Sequence, residues 1–175
     1  MDDRRGAQAV GAFLIAAGIL FLLGQVFSVD VGRYGWPLFV IVPGLLLIAF
    51  GVSQAPGQGA HTVVGGVIVT TVGLILLVQN TYDAYETWAY AWTLAGPTAS
   101  GVGLALAGML RRDPAETRRG VNTAGVGLVM FLAFAAFFEG VLHLSGRDFG
   151  AVGQLGFPIV LIVLGVVLLV ARIGR

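Results

Sequence analysis

The segment "AFFEGVLH" sets a carboxylate and an imidazole, Glu139 and His143, four residues apart. On one helical face near a membrane boundary, such a pair could move a proton or help to hold a metal. Two ligands are too few for a specific metal site. A structural role competes with the chemical one and is preferred: Glu139 falls in a repeated slot shared with Gln25 and Asn80. A hydrogen-bonding residue there would end one helix and tie the following turn. No catalytic, cofactor-binding or metal-binding residue is therefore assigned. His61 has no acidic or histidine neighbours and is expected in a solvated link. Thr70, Thr71, Thr93, Thr98 and Ser100 can bond back to their own helix backbone and form no serine–histidine–acid arrangement. "GVGLALAG" has close glycines, but no strand precedes it and no lysine follows, so a phosphate loop is unsupported. The absence of cysteine removes disulfides, thiolate chemistry and cysteine metal sites.

These residues need elements to carry them, and composition names the kind. The 175 residues are 57% hydrophobic and 11% charged, with a mean hydropathy of +0.91. A water-facing domain carries about 25% charged residues. The chain is thus expected to be a single all-α membrane domain over residues 1–175. Net charge is +1, which offers nothing to a nucleic acid. Six apolar runs are read as membrane-spanning helices: Val10–Phe27, Trp36–Val52, Val63–Val78, Trp88–Leu110, Val121–Leu144 and Phe157–Ile173. A helix of about 18 residues reaches about 27 Å, enough for the hydrocarbon core. Outer-membrane strands would alternate apolar and polar over about ten residues, and these runs do not. The basic pair in "MDDRRGAQAV" precedes a long apolar run, read as a retained first span.

The arginines sort by side. Arg4, Arg5, Arg111, Arg112, Arg118, Arg119, Arg172 and Arg175 share one side of a six-span chain, and only Arg33 and Arg147 fall on the other. By the positive-inside rule both termini are cytoplasmic. "RRDPAETRR" is read as a basic cytoplasmic link, foremost a topological anchor and otherwise a contact for anionic headgroups or a partner. On the other side, "YDAYETWAYAW" gathers Tyr82, Tyr85, Trp88, Tyr90 and Trp92 as an interfacial belt.

"WPLFVIVPG" from Trp36 is echoed by "FPIVLIVLG" from Phe157, and the echo belongs to a larger pattern. Gly11, Gly18 and Gln25 are spaced seven apart, as are Gly66, Gly73 and Asn80; Gly125, Leu132 and Glu139 keep the spacing. Each second span opens on an aromatic residue (Trp36, Trp92, Phe157), has a proline at its start or in its first turns (Pro37, Pro97, Pro158), and carries a later glycine (Gly44, Gly101, Gly165). Three tandem two-helix hairpins follow, at about residues 7–53, 61–110 and 120–173. The same-face glycines, with Gly51, Gly103 and Gly108, are expected to pack helices where lipid supplies no hydrophobic drive. Pro43, deeper in its span, is expected to kink it mildly.

"GAFLIAAGILFLLGQ" followed by "GWPLFVIVPGLLLIAFG" resembles the transmembrane repeat of LiaF-like and LiaI-like bacterial membrane proteins. The match is fullest over Gly11–Gly51; in the second unit Trp92 lacks the following proline, and in the third Phe157 replaces tryptophan. The resemblance implies a bacterial plasma-membrane protein linked in some members to cell-envelope stress signalling. LiaF-like regulators also carry a soluble C-terminal domain, which the sequence to Arg175 does not include. With no reaction legible, the expectation is a non-enzymatic scaffold or accessory regulator in the lipid bilayer. It would bind a membrane-protein partner, or a second copy of itself, through its glycine-striped helices. A small transporter or channel is the alternative, needing a polar path among Thr70, Thr71, Thr98, Ser100 and Gln79. A membrane enzyme acting on lipid is the third, resting on Glu139 and His143.

Topology is directly checkable in a chain without native cysteines. Single cysteines at Ser28, Asp83 and Ser145 are expected to react with an impermeant reagent from outside the cell. Labelling of all three only from the cytoplasm would mean the inverted orientation.

Overall fold

The computed structural model describes residues 35–54, 59–146, 155–162 and 165, together with residues 15, 18, 19 and 22. Gly11, Gln25 and the arginines Arg4, Arg5, Arg33, Arg147, Arg172 and Arg175 lie outside the described residues. The chain divides into two compact units, Met1–Trp36 and Pro37–Arg175. In the first, Ile15, Gly18, Ile19 and Leu22 are helical and exposed.

The second unit is a run of antiparallel helices: α1 (Leu38–Ser53), α2 (Ala60–Tyr82), a 3-10 turn (Tyr85–Thr87), α3 (Trp88–Thr93), a π turn (Leu94–Thr98), α4 (Ala99–Arg111) and α5 (Pro114–Gly140). Residues 155–162 are also helical, and no strand occurs among the described residues. Three stretches are long and apolar enough to cross a membrane: α2 with 23 residues, Tyr85–Arg111 with 27 and α5 with 27. The helix α1 is shorter, at 16 residues. Length and composition together make this a membrane protein in outline.

The ends of these helices come from a few backbone choices. Pro37 caps α1, and its carbonyl accepts from the Val40 and Ile41 amides at 3.0 Å. Asp83 closes α2 in the left-handed region at φ 50, which lets the Ala84 amide reach back to the Gln79 carbonyl at 2.9 Å. Arg112, at φ 57, does the same for α4: the Asp113 amide reaches the Gly108 carbonyl at 2.9 Å. Asp113 then caps α5, its Oδ1 accepting from the Ala115 amide at 2.9 Å and the Glu116 amide at 3.1 Å, with Pro114 in the first turn.

Two sequence expectations change here. "RRDPAETRR" is not a link of its own: only Arg112 and Asp113 form the turn, and α5 starts at Pro114 rather than near Val121. Hydropathy marks where side chains turn apolar, whereas the cap marks where the helix begins. Likewise His61 lies in the first turn of α2 rather than in a loop. Pro97 also departs from its expected place in the first turns of its span. It sits within the continuous run from Tyr85, in the π turn. Proline offers no N–H to the preceding turn; the Thr98 hydroxyl instead donates to the Thr93 carbonyl at 3.0 Å.

The helices are held by bare backbone. A Cβ on Gly66 would stand 2.8 Å from the Gly44 carbonyl oxygen, and one on Gly73 would stand 2.9 Å from the Ile41 amide. Across the α4–α5 pair, a Cβ on Gly120 would stand 2.7 Å from both Ala105 Cα and the Gly101 carbonyl oxygen. The two pairs use one pattern. Gly44 faces Thr70 and Gly51 faces Val63, as Gly101 faces Ala124 and Gly108 faces Thr117; Gly66 meets Ile48 and Gly73 meets Ile41, as Gly120 meets Ala105 and Gly127 meets Thr98. These contacts join the second helix of one sequence unit to the first helix of the next. The short links after Ser53 and Arg111 put those helices side by side. Between α2 and α4, Gly103 lies against Val64, and Val63, Val67 and Ala99 form a small core with Ile48, Ile68 and Leu106 packed on it. By contrast, nothing among the described residues stands within 4 Å of a Cβ built on Gly18, Gly65, Gly125 or Gly165.

Gly120→Ala is expected to lower stability by about 1–3 kcal/mol, because the backbone it meets cannot step aside. Gly125→Ala, with nothing within 4 Å among the described residues, is expected to leave stability unchanged or slightly raised. Helix content followed through SDS titration in mild detergent separates the two; matching midpoints would remove the glycine contact as the constraint.

Candidate functional site

The polar residues singled out in the sequence collect where α2 and α5 end. Glu139 sits in the last turn of α5, one residue before the helix stops at Gly140. One carboxylate oxygen accepts from the Tyr90 hydroxyl at 2.9 Å. The other accepts from the Ser145 hydroxyl at 2.5 Å and the Ser145 amide at 3.3 Å. Glu139 thereby ties the turn after α5 to the beginning of the neighbouring span. Rings pack beneath it: Tyr90 lies 5.7 Å from Phe131 and 6.4 Å from Phe138, and Phe137 lies 5.4 Å from Phe157, centroid to centroid. Trp92 joins through Phe134 at 6.1 Å.

His143 is not on this helical face. The helix has ended, and His143 stands exposed in the turn at φ 53, with the Gly146 amide bonded to its carbonyl at 2.9 Å. No hydrogen bond or ion pair joins it to Glu139. Four-residue spacing makes a shared face only while the helix lasts, and here the chain leaves the helix at Val141. Among the described residues, no three histidine, aspartate or glutamate side chains stand together as metal ligands.

A second tie closes α2. Gln79 is 2% exposed, and its Nε2 donates to the Thr87 hydroxyl at 3.0 Å. That hydroxyl donates to the Ala84 carbonyl at 2.6 Å. The Tyr85 hydroxyl donates to Asn80 Oδ1 at 2.8 Å. Asn80 thus occupies the repeated slot, while the neighbouring Gln79 takes the buried place. Its Oε1 has no hydrogen-bond partner among the described residues. The threonines of the possible polar path point back into their own helices. The Thr70 hydroxyl donates to the Gly66 carbonyl and the Thr71 hydroxyl to the Val67 carbonyl, each at 2.8 Å.

The aromatic belt divides. Tyr82, Tyr85, Trp88 and Trp92 are exposed, while Tyr90 is half-buried on Glu139. Sequence alone assigned Tyr90 to the belt, since its partner is 49 residues away and no local spacing announces it. At the other end of the helices, Arg111 pairs with Glu116 at 3.3 Å; Arg112, Arg118 and Arg119 have no ion pair among the described residues. No family model matches the chain, and neither a curated protein nor a solved structure matches it.

Glu139→Gln keeps an acceptor for the Tyr90 hydroxyl and is expected to fold and function nearly as the parent. Tyr90→Phe is expected to cost about 0.5–1.5 kcal/mol, the net worth of one hydrogen bond. Detergent-unfolding midpoints read both. Severe loss of phenotype in Glu139→Gln at normal expression would give Glu139 a proton-transfer or metal role instead.

Proposed function

We propose that this chain is a non-enzymatic scaffold or accessory regulator of a bacterial plasma membrane. In this reading it crosses the bilayer six times as three same-facing hairpins with both termini cytoplasmic, and it acts by binding another membrane protein. The observation that carries the proposal is the outward face of α5. There Val121, Leu128 and Leu132 are 58%, 47% and 51% exposed, and Gly125 between them has nothing within 4 Å among the described residues. Gly44, Gly51, Gly66, Gly73, Gly101, Gly103 and Gly108 are taken up in internal packing, whereas Gly125 stands in an exposed apolar face and so offers the close backbone approach that helix association in lipid requires. The resemblance of the first 50 or so residues to LiaF-like and LiaI-like repeats points to envelope-stress signalling, with a sensor kinase as the partner class.

A small transporter or channel is the second reading. It draws on Gln79, a buried amide with a free acceptor at the end of a membrane-length helix. Mild-detergent affinity purification with mass spectrometry distinguishes the two. A reproducible membrane-protein partner is expected, and Gly125→Leu is expected to reduce its recovery about tenfold, equivalent to about 1.4 kcal/mol, with helix content unchanged. A partner-free preparation that moves ions or solute in liposomes would replace the first reading with the second.

A further inference from the structure

An open cleft of about 520 Å³ lies at the α4–α5 turn, between the last turn of α4 and the first turns of α5. Arg112, Arg118, Met109 and Val121 are among the residues that line it. Met109 and Val121 are 59% and 58% exposed, so the apolar walls are open to whatever surrounds the helices. The order of these residues along the helices gives the cleft a direction. Val121 follows Arg118 by three residues on α5, whereas Met109 stands in the last turn of α4 and Arg112 is the left-handed turn residue just past its end. Residues three apart on a helix share a face one turn apart. Arg118 therefore has an apolar neighbour one turn farther along α5, and Met109 and Val121 both lie farther from the turn than the arginines, toward the middle of membrane-length elements.

The acids nearby are already engaged. Asp113 also lines the cleft, but its Oδ1 accepts from the Ala115 and Glu116 amides. Glu116 is paired with Arg111. Arg112 and Arg118 carry no ion pair among the described residues, and the amino end of the 27-residue α5 adds its own positive field at the same place.

We propose that this cleft binds one anionic phospholipid, its phosphodiester between Arg112 and Arg118 and an acyl chain along Met109 and Val121. The charge lies nearer the turn and the apolar walls farther along the helices, the order in which an amphiphile presents its own parts. A free phosphate would use only the arginines. A zwitterionic lipid would bring its own cation against the arginines. The proposal rests on the membrane character of the helices; it shares Val121 with the α5 face offered to a protein partner, while Arg112, Arg118 and Met109 belong to the cleft.

Native mass spectrometry of the full chain, released from mild detergent with equal amounts of dioleoylphosphatidylglycerol and dioleoylphosphatidylcholine, tests it. The parent is expected to retain phosphatidylglycerol preferentially. Arg118→Gln is expected to cut that preference about fivefold, since one basic contact to an anionic lipid is worth about 1 kcal/mol. Arg112→Gln, on the opposite wall, should repeat the effect independently. Arg119→Gln removes the same charge one residue outside the cleft and should leave the preference as it was. Met109→Asn, in the cleft wall and outside the α5 face offered to a partner, should weaken retention of the lipid while phosphatidylglycerol stays preferred over phosphatidylcholine. Equal retention of the two lipids by the parent, or equal loss in Arg118→Gln and Arg119→Gln, would overturn the site in favour of diffuse attraction. Neither result bears on the protein partner, whose recovery is a separate measurement.

Discussion

Two helix backbones can approach as Gly101 and Gly120 do only where neither carries a side chain. In water, hydrophobic burial would bring helices together even at the wider spacing that leucines impose. In lipid that drive is gone, and what remains is contact between atoms, which weakens rapidly with distance. The glycines therefore do more than permit packing. They fix which faces meet and at what register, because a shift of one turn would set Ile48 against Thr70 in place of Gly44, or Ala105 against Ala124 in place of Gly101. The same constraint acts in the α1–α2 and α4–α5 pairs, and α2 and α4 join the two through Gly103 and Val64.

Polar side chains inside the spans and at the helix ends are satisfied locally for a matching reason. A buried group without a partner is costly, so threonines within the spans turn back on their own carbonyls, and Gln79, Asn80 and Glu139 find donors or acceptors in the adjoining turns. These ties work across short distances. They hold the Asp83–Thr87 and Val141–Ser145 turns against helices that the glycines have already positioned. Gln79 Oε1 departs from this pattern, and the departure occurs at the most buried amide of the set.

Much of the helical layout could be read from composition and periodicity. Apolar runs located α1 and α2 to within a few residues, and the seven-residue spacing picked out Gly66 and Gly73, which do meet the α1 backbone. What periodicity does not encode is the partner. Heptad glycines say that a face is bare, not which helix covers it, so pairing across the borders of the sequence units emerged only in three dimensions. The start of α5 was misplaced because its first turn is charged. There the informative signal was Asp-Pro-Ala-Glu, a capping pattern independent of hydropathy. His143 was misplaced for the converse reason: helical spacing was extended past a helix that ends at Gly140. Tyr90 was legible as an amphipathic aromatic, but its link to Glu139 is a long-range contact that no local pattern contains.

The turn between α4 and α5 has a consequence for how the protein is made. Two residues, Arg112 and Asp113, span at most about 7 Å of chain, whereas a hydrocarbon core is about 30 Å thick. The neighbouring ends of α4 and α5 therefore cannot emerge on opposite sides of a bilayer. The chain between α1 and α2 and the stretch between Tyr82 and Tyr85 are also too short to cross it. During biosynthesis the orientation of these helices becomes one joint decision. The arginines clustered at a single turn, Arg111 to Arg119, weigh on the orientation of every helix from α1 to α5, including those that carry no charge of their own.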